Sequence, residues 1–166
     1  MSDKAKSILK EYVPYVLVIV LVILFKMNIM TPVRVNGDSM FDTLKDGDIM
    51  LLNIIDYKLH GADRFDIVVA DEGTEYLIKR VIGLPGEVIE YKNNQLYVNS
   101  KKVKDNFGTE ETYDFTYKVP KDSYFIMGDN RTNSVDSRRL GAFKKNEVKG
   151  TTKLTIFPFK RFGNKK

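Results

Sequence analysis

The chain contains no cysteine and no tryptophan, and it has one histidine. Without thiols there is no disulfide, no thiolate nucleophile and no cysteine metal site. That lack also suits an oxidising exterior. The lone His60 cannot build a multi-histidine zinc centre, and its surroundings, "YKLHGADR", read as a polar loop. Neither a metal nor an organic cofactor is expected. Long runs of one charge are missing too. The formal net charge is +5, but the basic residues are scattered and densest in the C-terminal "KRFGNKK". A solvated tail, or one resting on anionic lipid, fits that distribution better than a groove for nucleic acid, so no nucleic-acid partner is expected.

The 166 residues, 43% hydrophobic and 30% charged, leave room for a membrane segment and one modest soluble domain. "YVPYVLVIVLVILF", Tyr12 to Phe25, is almost wholly apolar and continues past Lys26 into "MNIM". A spanning helix needs about 20 residues. Lys26 need not end the span, because a lysine near a helix end can snorkel to the headgroups. Pro14 suits a first helical turn, where its missing N–H has no role. A cleavable signal would need a small-x-small site, yet "KMNIMTPVRVNGD" has no alanine, so an uncleaved anchor is expected. Lys4, Lys6 and Lys10 favour a cytoplasmic N-terminus, although Lys26 and Arg34 lie on the far side.

Beyond the anchor no long stretch keeps a helical period. Short β-rich runs follow instead: Asp48 to Asn53, Asp66 to Ala70, Glu75 to Gly83, Glu87 to Tyr91, Gln95 to Asn99, Ser123 to Gly128 and Val148 to Phe159. "KNN" between the fourth and fifth reads as a hairpin turn. The soluble part is therefore expected to be mainly antiparallel β. Val88 to Pro120 is more polar than its surroundings and reads as a hairpin-based insertion between two halves of one core.

"VNGDSMFDTL", Val35 to Leu44, sets Ser39 between Asp38 and Asp42. Carboxylates ionised at neutral pH are weak bases toward a hydroxyl. Lys79, in "YLIKRVIG", is the stronger candidate. On a strand it shares a face with Leu77 and Val81, while Arg80 shares the other with Ile78 and Ile82. A free lysine has a pKa of about 10.4, and burial among aliphatic side chains can lower that by as much as about 3–5. A useful neutral fraction would then be available to take the Ser39 proton, and a Ser–Lys dyad is a known form of nucleophile activation. "GDNRTNSVDSRRLG", Gly128 to Gly141, crowds Asp, Asn, Arg and Ser together. Asp129 or Asp136 with Arg131 or Arg138 could pin such a loop, and Ser134 could offer a hydroxyl to an amine.

With "GDSM", "IKRVIGLPGE" and "GDNRTNSVDSR" in that order after an apolar N-terminal segment, the chain resembles a type I signal peptidase, the membrane-bound bacterial leader peptidase. The resemblance runs over nearly the whole chain and is weakest from Val88 to Pro120. It implies that Ser39 is the nucleophile, Lys79 the general base, and Ser134 the serine that hydrogen-bonds the lysine amine. Asp129, Arg131, Asp136 and Arg138 match charged residues that brace the active-site loop. Val35, Met40, Leu44, Leu77 and Ile78 match positions lining small hydrophobic substrate pockets. The implied organisation is a short cytoplasmic tail (1–11), a single transmembrane anchor (12–30) and a partly barrel-like β catalytic core (31–87 and 121–160). A small β insertion (88–120) and a basic tail (161–166) complete it. The implied substrates are exported preproteins cut after Ala-x-Ala sites by a monomer at the cell membrane, its catalytic domain extracytoplasmic.

The chain departs from the family pattern in places. Asp42 stands where proline is usual and adds a carboxylate near the cleft. Gly37 takes the place of an oxyanion-stabilising serine found in some members, which would leave the hole to backbone N–H groups, chiefly that of Ser39. Phe65 replaces a common glycine, and Glu87 an aspartate. Two other readings stay open at this level: a self-cleaving repressor-type Ser–Lys protease, and a membrane-tethered β module that binds a partner without catalysis. "IFPFKRF", Ile156 to Phe162, suits either a contact with lipid headgroups or a core strand ending in a surface tail.

Overall fold

The computed structural model describes residues 10–19, 21–22, 30–108 and 110–165. Residues 10–19 and 21–22 are helical (α1), and their side chains are exposed. Among the described residues no helix is long and apolar enough to cross a membrane. Positions 20 and 23–29 of the expected anchor, and 1–9 of the expected tail, lie outside the described residues. Met30, expected as the last anchor residue, instead opens a strand.

In chain order the strands are β1 (Met30–Arg34), β2 (Ile49–Asn53), β3 (Ile67–Asp71), β4 (Tyr76–Gly83), β5 (Val88–Lys92) and β6 (Gln95–Val98). They continue with β7 (Lys101–Lys102), β8 (Phe115–Lys118), β9 (Ser123–Met127), β10 (Phe143–Lys144), β11 (Val148–Phe157) and β12 (Gly163–Asn164). Two short helices interrupt them, α2 (Ile54–His60) and α3 (Ser137–Leu140). The fold is mainly β and antiparallel. One sheet runs β1-β2-β11-β3-β4-β9-β10 with β12 beside β11, and a smaller one runs β7-β6-β5-β8.

Each apolar run anticipated from sequence coincides with a strand, but several elements were not anticipated. β1 contains Pro32, which a ladder tolerates at an edge, and β1 is an edge strand. In α2 the Asn53 side chain caps the first turn by accepting from the Asp56 N–H. Gly61, at φ +79°, ends it. His60 is therefore the exposed last residue of a helix, not a loop histidine, and it contacts Asp56. The basic tail is partly ordered: Arg161 closes a 3-10 turn and pairs with Asp48, and β12 pairs with β11.

The hairpin between β5 and β6 turns through Asn93 and Asn94, both at positive φ (49° and 59°), the conformation a tight two-residue connection requires. The two sheets share a core. Ile82, Phe125 and Met127 of the large sheet pack with Ile89, Tyr91, Leu96 and Val98 of the small one. Phe125 stacks on Phe115 at 5.7 Å and tilts against Tyr117 at 4.7 Å. With Phe125 fully buried, Phe125→Ala is expected to cost about 3–5 kcal/mol. Urea denaturation of wild type and variant measures it, and a loss within about 0.5 kcal/mol, typical of surface sites, would mean the sheets do not share this core.

Candidate active site

Ser39 sits on the connection between β1 and β2. Two buried neighbours fix that connection: Met40 and Leu44 are 1% and 0% exposed and pack with Val35, Met50 and Ile67. The Leu44 N–H donates to the Met40 carbonyl, and the Val35 N–H to that of Asp48. Gly37, at φ +79°, donates its N–H to the Asp46 carboxylate. The methionine after the serine is thus an anchor that leaves Ser39 itself half-buried at the surface of the turn.

β4 supplies the amine. Lys79 is 4% exposed, and its Nζ lies 2.6 Å from Ser39 Oγ, within hydrogen-bond distance. Leu77 and Val81, on the same strand face, belong to the buried cluster beside it. Burial pushes the Lys79 pKa below the ordinary lysine value of 10.5. The carboxylates of Asp136 and Glu75 pull it upward, and the Arg138 guanidinium adds to the depression.

The segment after β9 is pinned as its charge density suggested, in part by an anticipated pair and in part by partners outside the segment. Asp136 pairs with Arg138 at 2.7 Å and accepts the Gly128 N–H at 2.9 Å. Burial alone would raise the Asp136 carboxyl, yet the hydrogen bonds from Arg138 and Gly128 hold it below the usual carboxylate range. Asp129 pairs with Arg80 of β4. It accepts from Arg80 Nε at 2.8 Å and Nη2 at 2.6 Å, and from the Thr43 hydroxyl at 2.6 Å. Arg131 pairs with Asp105 of the small-sheet region. Sequence reasoning missed Arg80 and Asp105 as partners. The alternation that singled out Lys79 also buries Arg80, whereas nothing local marks Asp105.

Two hydrogen bonds tie this segment to the serine turn: the Asn130 N–H donates to the Ser39 carbonyl and its side-chain amide to that of Asp38. A Cβ on Gly128 would lie 2.4 Å from the Ser39 carbonyl oxygen, so only glycine fits this approach. Ser134 Oγ is shut off from solvent, and its hydroxyl adds to what holds the Asp136 carboxyl low. The bond to Lys79 that the resemblance implied is not formed.

Ser39 and Lys79 open onto a cleft of about 850 Å³. Val35, Met40, Leu77 and Ile78 line it, as do Val33, Leu52, Val69 and the exposed Val135, which sequence reasoning did not single out. Leu44 does not reach the cleft; it is core beneath the turn. Asp42 is exposed and absent from the lining. Phe65 holds a φ of +71°, a conformation that costs a bulky residue on the order of 1–3 kcal/mol, and its carbonyl accepts from Arg80 Nη1 at 2.8 Å. Among the described residues no three His, Asp or Glu side chains converge to hold a metal ion.

An antiparallel β scaffold that brings a hydroxyl and a buried amine into contact on an apolar cleft defines a serine-hydrolase type of site. The sequence pattern of one family, signal peptidase, peptidase S26, matches residues 8–157. Signal peptidase I S of Bacillus subtilis (strain 168) is 39% identical over 171 residues, which cover 95% of this chain and 93% of that one. Signal peptidase IB of Staphylococcus aureus (strain COL) is 35% identical over 179 residues, again covering 95% and 93%. The crystal structure of a signal peptidase I from Enterococcus faecalis V583 is 34% identical, with a TM-score of 0.50, covering 54% of this chain and 95% of that one. The chain belongs to the signal peptidase family, peptidase S26, and is a hydrolase of that family.

Arg80 and Asp129 are both 0% exposed. Asp129→Asn leaves a buried guanidinium without its counter-charge, which is expected to cost about 3–5 kcal/mol. The urea midpoint reports this, and an unchanged midpoint would mean that the pair does not brace the fold.

Proposed function

We propose that this chain is a membrane-anchored serine endopeptidase that removes N-terminal signal peptides from exported preproteins, with Ser39 as nucleophile and neutral Lys79 as general base. The observation that carries this reading is the 2.6 Å separation of Lys79 Nζ from Ser39 Oγ with the amine 4% exposed. Lys79 takes the hydroxyl proton as Oγ attacks the scissile carbonyl, and returns a proton to the leaving amine. Water then attacks the acyl-enzyme with Lys79 again as base. The developing oxyanion is met by the Ser39 N–H, which donates to no other acceptor among the described residues. No metal or organic cofactor enters these steps.

The apolar cleft seats the small side chains of an Ala-x-Ala site and rejects bulk by steric clash. Asp129, Arg131, Asp136 and Arg138 brace the surrounding loop. The membrane anchor is supported by the apolar run from Tyr12 to Phe25 and by the exposure of α1, whose Tyr12, Tyr15 and Leu17 face outward; lipid is the surrounding that would cover them. Confining enzyme and precursor to one plane raises their effective concentration. Phe157, Phe159 and Phe162 are exposed beside Lys160 and Arg161 and suit a headgroup contact that holds the domain, as a monomer, on the extracytoplasmic face.

Ser39→Ala and Lys79→Met are each expected to cut kcat by at least about 10³-fold on an exported precursor, with cleavage sites mapped in parallel. Unchanged cleavage by either variant would remove the dyad. The sign of the pH dependence is fixed by the base. Lys79 acts only when neutral, so kcat/KM rises with pH, and burial places the midpoint of that rise below 10.5. Because Glu75 raises the Lys79 pKa, Glu75→Gln moves the midpoint further down. A midpoint at or above the ordinary lysine value, or an upward move in Glu75→Gln, contradicts the assignment.

A further inference from the structure

The region between β6 and β8 looks like a polar surface excursion, yet a four-residue piece of it, 105–108, touches both buried arginines behind the serine turn. Asp105 accepts from Arg131 Nη2 at 2.5 Å and from the Tyr91 hydroxyl. Arg131 Nη1 donates to Tyr91 Oη at 3.0 Å and to Thr112 Oγ1 at 2.9 Å. Its Nε donates to the Gly128 carbonyl at 3.1 Å. Gly108 lies against the same guanidinium, so closely that a Cβ there would be 2.8 Å from Arg131 Cζ. Between these two residues Phe107 sets its ring under the other arginine, with Arg80 Cζ 3.7 Å from the ring centroid.

Both arginines lead to Ser39 by separate short routes. Arg131 holds Gly128, whose backbone abuts the Ser39 carbonyl. Arg80 holds Asp129, which accepts from Thr43 in the serine turn. A guanidinium with a planar set of donors transmits position well only if its own plane is fixed. Asp105 fixes one plane through an ion pair, and Phe107 fixes the other through its ring face. We infer that Asp105 and Phe107 are positioning residues for the Ser39–Lys79 reaction, acting through Arg131 and Arg80.

This inference rests on the Ser39–Lys79 reading. It states that the small-sheet region sets the attack geometry, not merely the stability of the domain. Displacement of a nucleophile by a fraction of an ångström lowers the chemical step more than binding. The test compares Asp105→Asn, Phe107→Leu and Phe107→Tyr in the full chain in detergent, with kcat and KM on a peptide carrying an Ala-x-Ala site. Circular dichroism at the assay temperature gives the folded fraction. Asp105→Asn and Phe107→Leu are expected to lower kcat about tenfold with KM within about twofold, while Phe107→Tyr, which keeps the ring face, retains kcat. Arg131→Ala alone and combined with Asp105→Asn completes a cycle in which the double variant loses no more than Arg131→Ala.

Full kcat in the folded variants, a rise in KM in place of a fall in kcat, a loss that vanishes after correction for unfolded protein, or additive losses in the cycle would each overturn the inference. Ser39→Ala assayed alongside separates the two claims. If it stays active the dyad fails, and if it is dead while Asp105→Asn and Phe107→Leu keep full kcat, only the positioning role fails.

Discussion

Two consecutive residues of β4 meet the same physical problem and answer it in opposite ways. Lys79 and Arg80 are both taken out of water, at 4% and 0% exposure. Loss of solvation disfavours a charged side chain, but the two cations differ in what they can do about it. An amine can release its proton; a guanidinium, with a pKa above about 12, cannot. Arg80 therefore needs a carboxylate, and it donates to both oxygens of Asp129. Lys79 has a hydroxyl beside it instead, and burial drives its pKa down. Strand alternation keeps the two apart, so one dipeptide sets an amine beside a hydroxyl on one face and an ion pair on the other.

The charges that act on the Lys79 pKa extend beyond its own strand. Asp136 is the charge that most opposes the depression of the Lys79 pKa. Its charge is drawn off by Arg138, which donates to both of its oxygens, and by the Gly128 N–H. A carboxylate so engaged still acts on Lys79, but it does not close an ion pair with it. The loop between β9 and α3 thereby does two jobs: it pairs its charges with Arg138, Arg80 and Asp105, and it presses Gly128 and Asn130 against the backbone of Ser39.

Much of this was legible in the sequence, and the parts that were not have a common cause. Lys79 could be picked out because Leu77 and Val81 mark its face as buried, a purely local pattern. The same pattern at Ile78 and Ile82 marks Arg80 and would have predicted a buried guanidinium in need of a partner. Which carboxylate answers it could not be read: Asp129 lies 49 residues away, and the Asp105–Arg131 pair spans 26. Charge density showed that the loop is pinned and offered the Asp136–Arg138 pair among its alternatives, but not the outside partners of Asp129 and Arg131. Leu44 was expected among the pocket residues because of the family pattern, but its hydrogen-bonded spacing from Met40 turns it into the core. β8 carries an alternating inward Phe115 and Tyr117, a strand signal hidden by polar neighbours. The polar composition of 88–120 hid still more, because several of its polar groups point inward, where Arg131 satisfies them.

On the Ser39–Lys79 reading, substrate choice and base strength become properties of one surface. Leu77 and Ile78 immediately precede the lysine in sequence, and with Val35 and Met40 they line the cleft that also holds Lys79. Side chains that make the seat suitable for an alanine are therefore the same ones that withhold water from Nζ. A peptide that fits the seat displaces the remaining solvent and disfavours the ammonium further, whereas one too bulky to enter leaves the cleft wet. Discrimination then acts on the protonation state of the base as well as on binding. Arg34, Glu75 and Lys149 line the same cleft, so on this reading apolar fit acts alongside charge in selecting the peptide.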